Sequence, residues 1–190
     1  MTAGDRAAPG SSGRVAARAL LVNAAELLRR PGSERDIDLH IGTGALGLTD
    51  TRFRPDDDVQ IRLHLESLTD GIVVVGTIEV PWHGSCRRCL KPLDEVATSE
   101  VDELYQTVIT NPDAFEIVGD QLDLSPMVRE MALLDAPEAP LCRPDCQGLC
   151  TVCGIDLNDA TCTCVAPAQP SVWDVLDQLK VVDPDHLDAN

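Results

Sequence analysis

VQIRLHLESLTDGIVVVGTIEV (residues 59–80) decides the fold. Val59, Ile61, Leu63 and Leu65 alternate with Gln60, Arg62, His64 and Glu66, the period-two pattern of a strand with one buried face. Thr69-Asp70-Gly71 supplies a turn, and a β-branched run follows over residues 72–80. The pattern predicts an antiparallel hairpin. Its second arm runs directly into Trp82-His83-Gly84-Ser85-Cys86-Arg87-Arg88-Cys89, which places a Cys-x2-Cys pair at a strand end or hairpin tip.

Working outward, residues 93–105 read as a strand leaving that tip, with helix as the alternative because of their many acids. The segment 19–28 is apolar and fits strand or helix, and Arg29-Arg30-Pro31-Gly32-Ser33 stops it with a turn. Residues 111–115, NPDAF, form another turn. Ser125 is a natural helix cap with Pro126 in the first helical position, and Leu124, Val128, Met131 and Leu134 fall roughly on one face. Pro137 and Pro140 end that helix. Ser171 with Asp174 resembles a capping box opening a short helix over residues 171–179. The expected class is α+β: an antiparallel β-sheet domain with one or two short helices and a small zinc-ribbon-like C-terminal module. Its expected divisions are a flexible tail (1–13), an α+β domain with the Cys86/Cys89 knuckle (14–140), a cysteine-rich module (141–165), and a short helix and tail (166–190).

A chain of 190 residues suits one medium domain or a domain with an appendage. Its aromatics are Phe53, Trp82, Tyr105, Phe115 and Trp173, so the core must be aliphatic. Residues 1–35 hold six Arg against three acids, so the remainder carries −20 of the formal −17. Such a surface repels phosphate at long range and favours a basic protein as companion. No stretch is long and apolar enough to span a bilayer. The Arg-rich N-terminus has a transit-peptide flavour, but an unstructured tail is the simpler reading, and the uncharged core of a secretory signal is lacking. The expected compartment is the reducing cytoplasm, where stable disulfides are disfavoured.

The eight cysteines fall as Cys86-x2-Cys89, Cys142-x3-Cys146, Cys150-x2-Cys153 and Cys162-x-Cys164. Four close pairs supply the ligands of two tetrahedral four-thiolate zinc sites. Gly148 and Gly154 sit where a zinc knuckle needs a left-handed turn. The preferred arrangement joins Cys86 and Cys89 with Cys142 and Cys146, and Cys150 and Cys153 with Cys162 and Cys164. The competitor is one compact site of Cys142, Cys146, Cys150 and Cys153, with Cys162 and Cys164 spare. A closed four-thiolate site leaves no open position for water, so both zinc ions are expected to be structural.

Other chemistry finds less support. Two arginines between Cys86 and Cys89 would lower thiol pKa, so a thiol oxidoreductase is one alternative, yet no thioredoxin-like βαβ frame surrounds the pair. His83 lies three residues before Cys86 and is an alternative ligand, with a solvated or core histidine the simpler reading. His40, His64 and His186 have no partners at ligand spacing. Asp56, Asp57 and Asp58 read as a solvated loop. Neither a nucleophile elbow around Ser125 nor a phosphate-cradling glycine loop occurs, so no catalytic residue and no small-molecule substrate are expected.

The CRRCLKP, GDQLDLSPMVRE and APLCRPDCQGLCTVCGIDLN blocks, with the trailing CTC, together resemble the YceD family of large ribosomal RNA subunit accumulation proteins. The resemblance spans roughly residues 20–180. The family's usual Trp-containing tail is altered here to Pro170-Ser171-Val172-Trp173. The resemblance implies a non-enzymatic cytoplasmic factor needed for normal 23S ribosomal RNA levels and hence for large-subunit assembly. Combined with the charge, it points to contact with a basic ribosomal or assembly protein. Local RNA contact through Arg87, Arg88 and Lys91 is the secondary reading, and offsetting thiolate charge is the simpler role for these cations. A zinc ribbon that binds nucleic acid directly is the remaining alternative.

Overall fold

The structure is a computed structural model that describes residues 19–165. The expected tail (1–13), the helix over 171–179 and the whole segment 166–190 lie outside the described residues. The chain divides into two units, one running to Cys146 and the other starting at Gln147. The expected start of the cysteine-rich module, residue 141, lies six residues before Gln147. Cys142 and Cys146 gather with Cys86 and Cys89 inside the first unit.

The first unit contains β1 (Leu21–Asn23), α1 (Ala25–Arg29), β2 (Glu34–Gly42), β3 (Asp58–Ser67), β4 (Ile72–Ser85), β5 (Pro92–Gln106), β6 (Phe115–Glu116), β7 (Gln121–Asp123) and α2 (Ser125–Asp135). One sheet has the order β2-β3-β4-β5-β6, and β1 pairs with β7 in a separate ribbon. Every pairing is antiparallel except β5 with β6, so the sheet is mixed at one edge. The expected hairpin is β3–β4, with Ser67 opposite Ile72 and the Leu68 N–H donating to the Gly71 carbonyl. β5 is strand and not helix. Leu93, Ala97, Ser99, Val101 and Tyr105 are buried at odd positions, and a period of two satisfies them where a period of 3.6 would not.

Two elements go beyond the sequence expectations. β2 carries the same alternation as β3, with Ile37, Leu39 and Ile41 set between Asp36, Asp38 and His40. The ambiguous segment 19–28 is both strand and helix in turn, β1 then α1, with the Asn23 side chain accepting the Ala25 N–H at 3.0 Å where one becomes the other.

The inner sheet face buries Val59, Ile61, Leu65, Ile72, Val74, Ile78, Val80 and Tyr105. α2 packs against β4 and β5. Ser125 does not cap α2. Leu124 already has helical dihedrals, and the Ser125 N–H is taken by the Asp123 carboxylate at 2.9 Å. The buried face is also displaced from the expected one. Met127, Val128 and Ala132 are buried with Leu124, while Leu134 is 71% exposed at the rim of that arc.

Arg52 ties a loop to the end of this helix. Its guanidinium pairs with Asp50 (Nε–Oδ1 2.9 Å) and donates to the Ala136 carbonyl, one of the groups a helix C-terminus leaves unpaired. The Arg52 hydrogen bonds hold the Asp50 carboxyl below its usual range. Arg52→Gln is expected to lower the stability of the protein by about 1–3 kcal/mol, read from the urea midpoint. An unchanged midpoint would show that the helix end is satisfied without it.

Candidate metal centres

The β4–β5 hairpin ends in the turn 86–91. The Cys86 N–H donates to the Lys91 carbonyl at 2.8 Å, and the Leu90 N–H donates to the Cys86 carbonyl at 2.9 Å. The Arg87 N–H reaches the Pro140 carbonyl at 2.9 Å, which pins the chain returning from α2 beside the tip. Cys142 and Cys146 are thereby delivered to the knuckle. Cys86 Sγ lies 3.7 Å from Cys146 Sγ, and Cys89 Sγ lies 3.6 Å from Cys142 Sγ. Arg88 Nη1 donates to the Cys146 carbonyl at 2.8 Å, so this cation is held against the cluster.

The second unit repeats the device. The Cys150 N–H donates to the Ile155 carbonyl at 2.8 Å, and the Gly154 N–H to the Cys150 carbonyl at 2.9 Å, the same two bonds at the same spacing. Cys162 Sγ lies 3.5 Å from Cys153 Sγ and 3.3 Å from Cys150 Sγ. Asp156 and Asn158 shape the loop between the pairs, with the Asn158 N–H on the Asp156 carboxylate at 2.9 Å.

Within each set, Cys86/Cys89/Cys142/Cys146 and Cys150/Cys153/Cys162/Cys164, all four sulfurs lie within 4.8 Å of one another. This is the two-site grouping and not the compact one. A disulfide needs sulfurs about 2.05 Å apart. Four sulfurs on a zinc-sized ion at about 2.3 Å sit about 3.8 Å from one another, close to the separations found. The donor sets therefore fit a tetrahedral four-thiolate ion. In the first set only Cys142 is not fully buried, whereas Cys153 and Cys164 of the second set are exposed.

Thiol acidity follows the same logic in both sets. Backbone N–H groups, that of Cys89 foremost, pull Cys86 down to about 6, and those of Cys153 and Val152 pull Cys150 down to about 6. Burial, then the neighbouring thiols, push Cys142 up to about 12, and contacts with Cys162 and Cys153 push Cys164 up to about 12. Four thiolates at this spacing repel one another strongly. A bound cation is what lets all four ionise together.

The knuckles differ at one backbone position. Gly154 has φ +74°, natural for glycine, while Leu90 has φ +60° and is the one non-glycine with positive φ among the described residues. Its side chain is 63% exposed, so little burial offsets a conformation that disfavours L-residues by about 1–2 kcal/mol. Leu90→Gly is expected to leave metal content unchanged and to raise stability by up to about 1 kcal/mol, since glycine also gains unfolded-state entropy. A clear loss in the denaturation midpoint would mean that the Leu90 side chain contributes to packing.

The remaining expected site residues separate by environment. Among the described residues none of Arg87, Arg88 and Lys91 makes an ion pair, and the Arg88 guanidinium is tethered to the Cys146 carbonyl. His83 is not a ligand. Its Nε2 lies 2.9 Å from Asp57 and its Nδ1 contacts Asp94, so both ring nitrogens are engaged by carboxylates. Asp57 is therefore no solvated loop residue: it is 14% exposed and also accepts the Arg54 N–H at 2.8 Å. His40 and His64 pair with Asp58 and Asp36, and His186 lies outside the described residues. Sequence reading missed Leu90 as the strained knuckle position. Comparing the residue after each Cys-x2-Cys, Leu90 against Gly154, would have found it.

A family model described as large ribosomal RNA subunit accumulation protein YceD matches residues 74–180. Uncharacterized proteins of Mycobacterium tuberculosis and Mycobacterium bovis are 31% identical over 152 residues, 76% of this chain and 73% of theirs. A large ribosomal RNA subunit accumulation protein YCED homolog of Zea mays, named chloroplastic, is 37% identical over 51 residues, 26% of this chain and 17% of its own. No solved structure matches the chain.

Proposed function

The chain belongs to the YceD family, and on that premise we propose that it is a non-enzymatic cytoplasmic factor supporting 23S ribosomal RNA accumulation and large-subunit assembly. The family match over residues 74–180 carries this reading. The two four-thiolate sets act as structural zinc centres, one stapling the hairpin tip to the chain after α2, the other forming the core of the second unit. The factor works by holding a basic ribosomal or assembly protein on large-subunit precursors.

The chemistry of the surface supports a protein partner over RNA. The outer face of the sheet carries Asp36, Asp38, Asp58, Glu66, Glu79, Glu100 and Asp102 against Arg62, His40 and His64, and the net acidic face repels phosphate. Cys86 and Cys89 each abut a sulfur from the second pair, and this weighs against a thiol oxidoreductase.

Depletion of the protein is expected to lower 23S relative to 16S ribosomal RNA, and a tagged copy to co-purify with large-subunit precursors before ribonuclease treatment and with a basic protein after it. Unchanged ribosomal RNA ratios on depletion would overturn the reading. Tight, steeply salt-dependent binding of protein-free 23S RNA would instead promote the nucleic-acid-binding ribbon.

A further inference from the structure

The outer edge of β5 is open. The Gln106 carbonyl accepts the Ile117 N–H at 2.8 Å on the side of β5 away from β4. Backbone groups alternate sides along a strand, and the β4–β5 register keeps one offset from Ile72–Tyr105 to Ser85–Pro92, so no bulge resets the alternation. Odd residues of β5 therefore bond to β4. Asp94, Val96, Thr98, Glu100, Asp102 and Leu104 turn their N–H and C=O groups outward. Among the described residues no strand pairs with them, since β6 reaches only Tyr105 and Gln106.

Long open edges in soluble proteins are usually blunted by a bulge, proline or lysine. Between Leu93 and Leu104 this edge has none of these. Its exposed side chains are instead Asp94, Val96, Thr98, Glu100 and Asp102, three carboxylates flanking unpaired backbone. The chain itself already seats a strand on the far end of this edge, at β6.

We propose that the free edge of β5 receives an extended, lysine- or arginine-rich segment of a protein partner as an added strand. Backbone pairing would supply affinity, and cations lying over Glu100 and Asp102 would supply selectivity, Asp94 being already engaged by His83 and Arg54. The inference rests on the reading above that the partner is a basic protein. Charge decides the occupant: a second copy would set these carboxylates against their own kind, and RNA would bring phosphate to them. The opposite edge, at β2, is less open, because Ala19, Leu21 and Asn23 line the groove beside it and Arg35 Nη1 donates to the Asn23 carbonyl at 3.3 Å.

The test uses the zinc-loaded full chain and a short synthetic peptide of alternating lysine and valine. Hydrogen exchange should slow at the amides of Val96, Thr98, Glu100 and Asp102 when the peptide is added. Thr98→Pro removes an outward N–H without touching the β4 ladder, and is expected to weaken peptide binding about tenfold or more while zinc content stays the same. Should that variant misfold, Glu100→Lys with Asp102→Lys tests the same edge by charge and should weaken binding comparably. Protection confined to other segments, or both variants binding like the unmodified protein, would overturn the inference. So would β5 protection that rises with protein concentration alone, which would make the edge a contact between copies. If large-subunit association persists while the peptide spares β5, the edge inference falls and the functional reading stands. If association is absent while the peptide protects β5, the functional reading falls alone.

Discussion

Cys86→Ser is expected to release one of the two ions proposed above and to destabilise the first unit by several kcal/mol, an order set by the folding free energy that structural zinc supplies. The loss should reach past the knuckle. Cys86 directly follows the 14-residue strand β4, and its site joins that strand to the chain beyond α2 through Cys142 and Cys146. Exchange protection should fall at the β4–β5 tip and around residues 140–146 together. Cys162→Ser should release the other ion and loosen residues 147–164 while the first unit keeps its melting temperature. Native mass spectrometry counts the ions, and denaturation followed at Trp82, buried on β4 near the tip, reads the first unit. Unchanged metal content and melting in Cys86→Ser would rule out the long-range site. The exposed second set should also surrender its ion to a chelator sooner than the buried first set.

The second large effect is expected at Gly76, in the middle of β4. Its φ is +150°, and a Cβ there would lie 2.1 Å from the Arg62 carbonyl oxygen and 2.9 Å from Leu63 Cα. Both are backbone atoms of the neighbouring strand and cannot swing aside. Gly76→Ala must push β3 from β4 or distort the strand, at about 3 kcal/mol or more from strain and overpacking combined. Gly32→Ala is the control, with positive φ (+81°) but nothing within 4 Å of its Cβ, and should lose only about 1 kcal/mol. Urea midpoints separate the two. Equal losses would mean that backbone conformation alone, and not the approach of β3, governs Gly76.

The sequence by itself determined what local chemistry can determine. The alternation of residues 59–66, the Thr69-Asp70-Gly71 turn and the β-branched run after it specify β3 and β4, because a strand with one wet face must alternate. Spacing likewise assigns eight cysteines to four pairs, since two thiolates a few residues apart in a tight turn can converge on one ion. Local pattern could not choose between strand and helix for residues 93–105, whose acids suit either. The pairing of β5 with β4 over its whole length decided it. Nor could it place the start of α2, because Leu124 already has helical dihedrals and Ser125 falls one residue inside the helix, its N–H taken by the Asp123 carboxylate. Which cysteine pairs share an ion is a long-range matter. Cys86 and Cys142 stand 56 residues apart, and the Arg87–Pro140 backbone bond at the hairpin tip, with the Arg88 guanidinium on the Cys146 carbonyl, brings their pairs together. The open edge of β5 has the same origin: whether a strand's outer hydrogen bonds are used depends on what the rest of the chain lays beside it, and β6 stops after two residues.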